Sequence, residues 1–351
     1  MSAFTYRTGP ARIEFGRGGF ANLSSVLEDL GCNRALVVST AFQKPLAVTT
    51  AEILGDKSIG IFDGAAMHTP IQVTETAMLQ VKSLEADCIV AVGGGSTTGL
   101  GKAIAYRTGL PNIVVPTTYA GSEVTPILGQ TEDGLKTTIN DPRVLPTVVI
   151  YDPELTHSLP QNMTVVSGLN AMAHAAEALY AKDRNPISTM LAVEGFAAMK
   201  RGLGLLSNDL QSHEGRDAAL FGTWLCGTVL GQVGMALHHK ICHTLGGSFD
   251  MPHAETHAVM LPHTIAFNAV SVPDLMQPIA DVFDAAPGQG LFDFAVKIGA
   301  PTSLNELGFK AADLDKAAGI ATRDPYWNPR TIDEAGLRAM LQGAFDGTPP
   351  A

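Results

Sequence analysis

The chain has 351 residues, 46% of them hydrophobic and 16% charged, which is enough for two domains, each with its own core. Acidic residues outnumber basic ones 34 to 23, a formal net charge of −11, and no run of Lys or Arg stands out, so neither nucleic acid nor an anionic membrane surface is expected as a partner. No stretch reaches the roughly 18 uncharged apolar residues of a membrane span, the opening MSAFTYRTGPARIEF has no apolar h-region, and Cys32, Cys88, Cys226 and Cys242 show no CxxC spacing; a reduced cytoplasmic protein is expected.

The segment FTYRTGPARIEFGRG alternates like a strand or hairpin. From there to about residue 152 one unit recurs: a short β-branched run, a Gly or Pro/Thr break, then a helical pattern. RALVVST (34–40), SIGIFDG (58–64), DCIVAVGGG (87–95), NIVVPTT (112–118) and PTVVIYDP (146–153) read as strands buried on both faces, which is the grammar of a doubly wound, mainly parallel α/β sheet. A hairpin is expected around LKTTINDPRVLP, with Asn140, Asp141 and Pro142 in its turn. Past Pro153 the strand signals stop and helices are predicted over 162–182, 187–205, 215–243 and 264–285. The reading is an α/β dinucleotide-binding domain over 1–155 followed by an all-α catalytic domain over 156–351, with ligands in a cleft at the carboxyl ends of the strands.

Gly93, Gly94 and Gly95, followed by Ser96, stand directly after a strand and open a helix. Small residues let the backbone approach a phosphate, and free N–H groups at the helix start attract it. The loop is not a GxGxxG fingerprint, since Thr98 stands where the third glycine belongs, nor a Walker loop. The next strand ends in VVPTTYAGSEVT, so Thr117, Thr118 and Ser122 would complete a pyrophosphate and ribose cradle. Where an acidic residue would select NADH by its 2′-hydroxyl, Ser39 and Thr40 stand instead, so both NADH and NADPH are expected to be accepted.

HHKICHTLGGSFDMPHAETH, from His238 to His257, holds five of the ten histidines. Asn170 and His174 are one helical turn apart, His239 and His243 repeat that spacing, and His253 follows ten residues on. A metal site, an acid/base cluster and simple packing are all compatible with such spacings. His238, His257 and His263 have no spacing argument and are read as structural or supporting.

Together, GGGS before a helix, PTT ending the next strand, GLNAMAHAAEALYA and HHKICHTLGGSFDMPH resemble the iron-containing alcohol dehydrogenase group of the dehydroquinate-synthase-like superfamily. The resemblance implies that Asn170, His174, His239 and His253 occupy the family's metal-ligand positions, that His243 lies near the nicotinamide, that Lys136 lies near the cofactor ribose, and that the protein is a homodimer. The chain departs from the family pattern at informative places: Asn170 replaces the aspartate ligand, Gly99 replaces the aspartate after GGGSxx, and Thr244 replaces a proline. With FDGAAMHTP, these changes resemble the branch that reduces a carbon–carbon double bond in aromatic-ring degradation. A small unsaturated keto-dicarboxylate is then the expected substrate and NADH or NADPH the reductant. No metal is expected, because hydride addition to an enone yields a delocalised enolate that hydrogen-bond donors or imidazolium can stabilise. His243 and His253 are the expected catalytic pair, binding substrate together with Asn170, His174 and His239, and Lys240 or Arg323 would meet a carboxylate. The rival readings are a metal-dependent alcohol or polyol-phosphate dehydrogenase, with Asn170 ligating through its amide oxygen, and a non-catalytic binding module.

Overall fold

Runs of Val, Ile and Ala with no polar face need cover on both sides, and the sheet supplies it. In the computed structural model, which describes residues 12–132, 135–323 and 325–350, these runs become β2 (Ala35–Val38), β3 (Ser58–Phe62), β4 (Cys88–Gly93) and β5 (Asn112–Pro116). With β1 (Arg12–Phe15) and β8 (Val148–Tyr151) they form a parallel six-stranded sheet in the order β1-β8-β5-β4-β2-β3. Every residue of β2 and β4 is buried, as apolar runs between two helical layers require. Helices α1 (Leu23–Asp29), α2 (Lys44–Leu54), α3 (Ile71–Ser83) and α4 (Gly95–Thr108) intervene between the strands. Register sets Ala91 opposite both Val38 and Val114, and Gly93 opposite Pro116. The loops after β2, β4 and β5 therefore leave the sheet side by side.

The hairpin differs from expectation. Its strands are β6 (Ile127–Glu132) and β7 (Leu135–Asn140), so Asn140, Asp141 and Pro142 end the second strand rather than turn between two. The Asp141 carboxylate accepts from Arg143 N at 2.9 Å and starts a 3-10 turn, an alternative that the same Asn-Asp-Pro chemistry serves. Residues before Arg12, part of the predicted N-terminal hairpin, lie outside the described residues.

One unit of the chain ends at Leu159 and the other begins at Pro160. The second is helical: α5 (Gln161–Tyr180), α6 (Pro186–Asn208), α7 (His213–Leu230), α8 (Leu237–Phe249), α9 (His253–Ala269), α10 (Pro273–Phe283), α11 (Pro287–Lys297), α12 (Leu314–Ala321) and α13 (Glu334–Asp346). From Thr164 to Tyr180 every residue of α5 is buried, so this helix is the unit's axis. Helices α6 and α7 cross at glycine: a Cβ on Gly202 would stand 2.5 Å from Ala219 N, so a side chain there would part the two backbones. The expected helix 215–243 is broken into α7 and α8 by residues 231–236, and the expected 264–285 into α9 and α10, with Pro273 in the first turn of α10. No helix among the described residues is long and apolar enough to cross a membrane.

Candidate active site

Three loops at the carboxyl edge of the sheet carry the residues expected to hold a dinucleotide. Gly94 caps α4 without a side chain, and the space beyond Gly95 is open, with no atom within 4 Å of where its Cβ would be. At Gly93, φ is 150°, and a Cβ would meet Gln43 Oε1 and Thr97 Oγ1 at 2.5 Å; at Gly94 it would meet Thr118 Cγ2 at 2.9 Å. Gly93 and Gly94 are thus required by their neighbours, while at Gly95 the helix start is left bare for an anion. Ser96 is half-buried in the first turn, and Thr97 Oγ1 is buried without a hydrogen-bond partner among the described residues. Thr117 N donates to Gly93 O at 3.0 Å, which ties the β5 loop to the glycine loop. Ser122 is half-buried in a 3-10 turn that follows Gly121, at φ 77°.

Ser39 is fully buried and its hydroxyl donates to Thr40 O at 3.1 Å, while Thr40 Oγ1 accepts from Gln43 N at 3.3 Å. Both hydroxyls are engaged by their own turn. Gln43, which the sequence did not single out, spans the strand ends: its Nε2 donates to Thr117 Oγ1 at 2.8 Å. Lys136 lies in β7, its backbone paired with Thr131, and its side chain lies outside the described residues.

In the helical unit, Asn170, His174 and Glu177 share one face of α5, at spacings of four and three. His239 comes from α8 and His257 from α9, and their rings converge on that face: His174 to His239 is 5.2 Å between centroids and His239 to His257 is 5.1 Å. His253, exposed at the first position of α9, lies 4.5 Å from His257, and His243, exposed on α8, lies 6.0 Å from His239. The site thus brings together all five predicted substrate residues, with Asn170, His174 and His239 buried and the two expected catalytic histidines exposed.

Glu177 is the residue that organises the cluster, and sequence reasoning missed it although it stands three positions after His174. Fully buried, its carboxylate accepts from His239 Nδ1 at 2.6 Å, from Ala236 N at 3.0 Å and from His238 N at 2.8 Å. It therefore caps α8, which has no cap of its own, and orients the His239 ring with Nδ1 as the donor and Nε2 turned away from the carboxylate. Burial alone raises the Glu177 carboxyl, but the His239 hydrogen bond, the nearby histidines and the Ala236 amide outweigh it and bring it down to about 2.

A second chain of hydrogen bonds fixes the tautomers behind it. Thr264 Oγ1 donates to Met260 O at 2.9 Å, so it accepts from His238 Nδ1 at 2.9 Å; His238 Nε2 then accepts from His257 Nδ1 at 2.9 Å. His257 Nε2 is left as a buried lone pair. Burial, reinforced by the neighbouring histidines, holds His174 and His257 well below the ordinary histidine range and His238 at about 3. These three rings are therefore neutral near pH 7. Among the described residues Asn170 Oδ1, His174 Nδ1, His239 Nε2 and His257 Nε2 are buried without a hydrogen-bond partner. Each such atom costs about 1–3 kcal/mol, which a bound ligand offsets.

On the exposed side, His243 Nδ1 is 3.1 Å from Tyr326 Oη, and Lys240 Nζ stands 5.7 Å from the Tyr326 ring centroid. Burial first, and then the charge of Glu177, raises the Tyr326 phenol, so it keeps its proton. No sequence signal marks Tyr326, which reaches His243 across 83 residues. Arg323 is exposed.

Comparison with known proteins matches residues 10–153 to the model described as iron-containing alcohol dehydrogenase and residues 164–345 to that described as the C-terminal part of the Fe-containing alcohol dehydrogenase family. The chain is 57% identical over 350 residues to a maleylacetate reductase of Rhizobium sp. (strain MTP-10005), covering 100% of both chains, and 50% identical over 348 residues to that of Sphingobium indicum, covering 99% of both. A crystal structure of maleylacetate reductase from Agrobacterium tumefaciens superposes with a TM-score of 0.98 at 56% identity and full coverage of both chains.

These matches overturn the expectation that no metal belongs here, since the family is one of iron-containing enzymes over both halves of the chain. The donors fit such an ion. Losing the aspartate removes charge, but Asn170 Oδ1, His174 Nδ1 and His239 Nε2 are buried with no hydrogen-bond partner among the described residues, and imidazole nitrogen suits iron and zinc. The Glu177–His239 bond is the support that a metal-ligating histidine takes. With a parallel coenzyme-type sheet, a histidine-lined helical unit and family matches over both, the chain is an oxidoreductase that belongs to the iron-containing alcohol dehydrogenase family.

Proposed function

We propose that this protein reduces the carbon–carbon double bond of maleylacetate with NADH or NADPH, giving 3-oxoadipate. The observation that carries the reading is the 57% identity, over the whole chain, to a maleylacetate reductase. Maleylacetate is a 4-oxo-hex-2-enedioate. Hydride from the coenzyme adds to the alkene carbon β to the ketone, the ring becomes the oxidised nicotinamide, and the electron pair moves to the ketone oxygen as an enolate. A proton then adds to the neighbouring carbon. A divalent metal held by Asn170, His174, His239 and His253 would supply a Lewis acid for an oxygen that gains charge.

The protein's own groups orient the substrate and hold the proton. The coenzyme's phosphates are assigned to the bare start of α4 and the Thr117–Ser122 loop, and the absence of an acid at Ser39 and Thr40 supports use of both coenzymes. Tyr326 keeps its phenolic proton and lies 3.1 Å from His243 Nδ1; with the phenol as donor in that pair, the transferable proton of His243 would sit on Nε2. Lys240, whose ammonium stands 5.7 Å from the ring centroid of the same tyrosine, is assigned to a substrate carboxylate. Coenzyme oxidation is therefore expected on mixing with maleylacetate, and proton NMR of the product should show the alkene signals lost and the ketone kept. A hydroxy acid that retains the alkene would overturn the reading in favour of an alcohol dehydrogenase. Tyr326→Phe is expected to lower kcat by about 10- to 100-fold with little change in the KM for maleylacetate; an unchanged kcat would remove Tyr326 from the proton path.

A further inference from the structure

Among the described residues of the sheet unit, Lys102 on α4 is the one buried cation, the chemistry above has no use for it, and its surroundings are unusual. The residue is 1% exposed. Its ammonium is bonded by Ser122 O, by Thr125 O at 2.8 Å, by Thr125 Oγ1 at 3.0 Å and by Ile127 O at 3.0 Å. All four oxygens belong to one turn, which continues directly from Thr117, Thr118 and Ser122. Glu123 in that turn is also buried, and its Oε1 accepts from Tyr151 Oη on β8 at 2.8 Å.

We propose that Lys102 is a positioning residue for the coenzyme: its ammonium draws the carbonyls of Ser122, Thr125 and Ile127 inward and so holds the Thr117–Ser122 loop in the shape that receives the dinucleotide. The inference rests on the coenzyme reading of that loop. A methionine of the same length would fill the space without the cost of burying a charge, so what the ammonium adds is direction. Three N–H groups converging on one turn dictate where its carbonyls point and, through the peptide planes, where Ser122 and its neighbours present their other side. Burial pulls the ammonium down to about 7 while Glu123 opposes the change. Its partners are all backbone or hydroxyl oxygens of the loop, so the strain of that burial is spent on loop shape.

The test measures NADH and NADPH binding by fluorescence, together with steady-state turnover of maleylacetate, for the full chain and two variants. Lys102→Met is expected to raise the Kd and KM of the coenzyme by about 10- to 100-fold, with kcat at saturating coenzyme and the KM for maleylacetate each within about threefold of the parent. Thr125→Ala removes one of the four acceptors without burying a new group and is expected to move coenzyme Kd in the same direction by a few-fold. A support that is merely structural would lower thermal stability and leave this split absent. If the parent binds coenzyme and the variants bind it equally well, the positioning role is wrong; where Lys102→Met fails to fold, an unchanged Kd in Thr125→Ala decides against it. A parent chain that binds neither coenzyme would instead bring down the coenzyme reading itself.

Discussion

Glu177→Ala is expected to destabilise the helical unit by about 3–5 kcal/mol, because it removes one side of a buried, hydrogen-bonded charge network. For a unit of this size that corresponds to a Tm lower by roughly 2–4 °C for each kcal/mol. The loss has two sources. The amides of Ala236 and His238 at the start of α8 lose their only described acceptor, and His239 Nδ1 loses the carboxylate that orients its ring. Glu177→Gln separates them: it keeps the volume and an acceptor oxygen but not the charge, so it should retain more of the stability than alanine does. Both variants should bind a divalent metal about 10- to 100-fold more weakly, as removing a ligand's supporting carboxylate does. Metal content after dialysis and thermal melts of the apo protein measure the two effects independently; an alanine variant with the parent's Tm would show that the carboxylate does not hold α8. The acid limb follows from the same group. Its folded pKa, about 2, lies below the ordinary 4.5, so its stabilisation is complete above pH 4.5 and is lost as pH falls toward 2. That limb should be shallower in Glu177→Gln.

Gly99→Asp, which restores the residue usual in the family, is expected to impair this chain strongly. A Cβ at Gly99 would lie 2.3 Å from Thr69 Oγ1. Thr69 cannot retreat easily: it is 5% exposed, sits at φ 47°, and its carbonyl accepts from Thr131 N at 3.3 Å. The substitution should cost about 1–3 kcal/mol by overpacking and, on the proposed assignment of the coenzyme phosphates to the start of α4, should weaken coenzyme binding by setting a carboxylate in that helix. Thr69→Ala removes the clashing oxygen and leaves a carbon at 3.6 Å, an ordinary contact. The double variant Gly99→Asp/Thr69→Ala should therefore recover most of the stability but not the coenzyme affinity. Additive losses, measured by denaturant unfolding, would mean that Thr69 does not explain the glycine. The two features, FDGAAMHTP and Gly99, are on this account one change: the loop that carries Thr69 fills the place an aspartate would take.

That pairing shows where sequence reading stops. Gly99 is visible as a departure from the family pattern and the segment 62–70 as a likeness to one branch of it, yet nothing in either predicts that they touch. Likewise the sequence shows Asn170 only as the loss of an anionic ligand, and the enone chemistry it suggests leads to the expectation of no metal. The family match corrects this, and the geometry gives the reason: a neutral amide oxygen left buried without a partner still offers a lone pair.

The sequence by itself determined the parallel sheet, the glycine loop, the helical second half and the histidines and asparagine of the cluster, because burial on both faces, close backbone approach and helical spacing are written locally, within a few residues. Only the tertiary structure decided that Glu177 caps a helix 59 residues away, that Tyr326 meets His243, that Lys102 grips the Ser122 turn, and that the innermost imidazoles are neutral. The physical reason is the same in each case. Hydrogen-bond partnership and charge state depend on which groups share a dry interior, and that is settled by packing between elements rather than by periodicity within one.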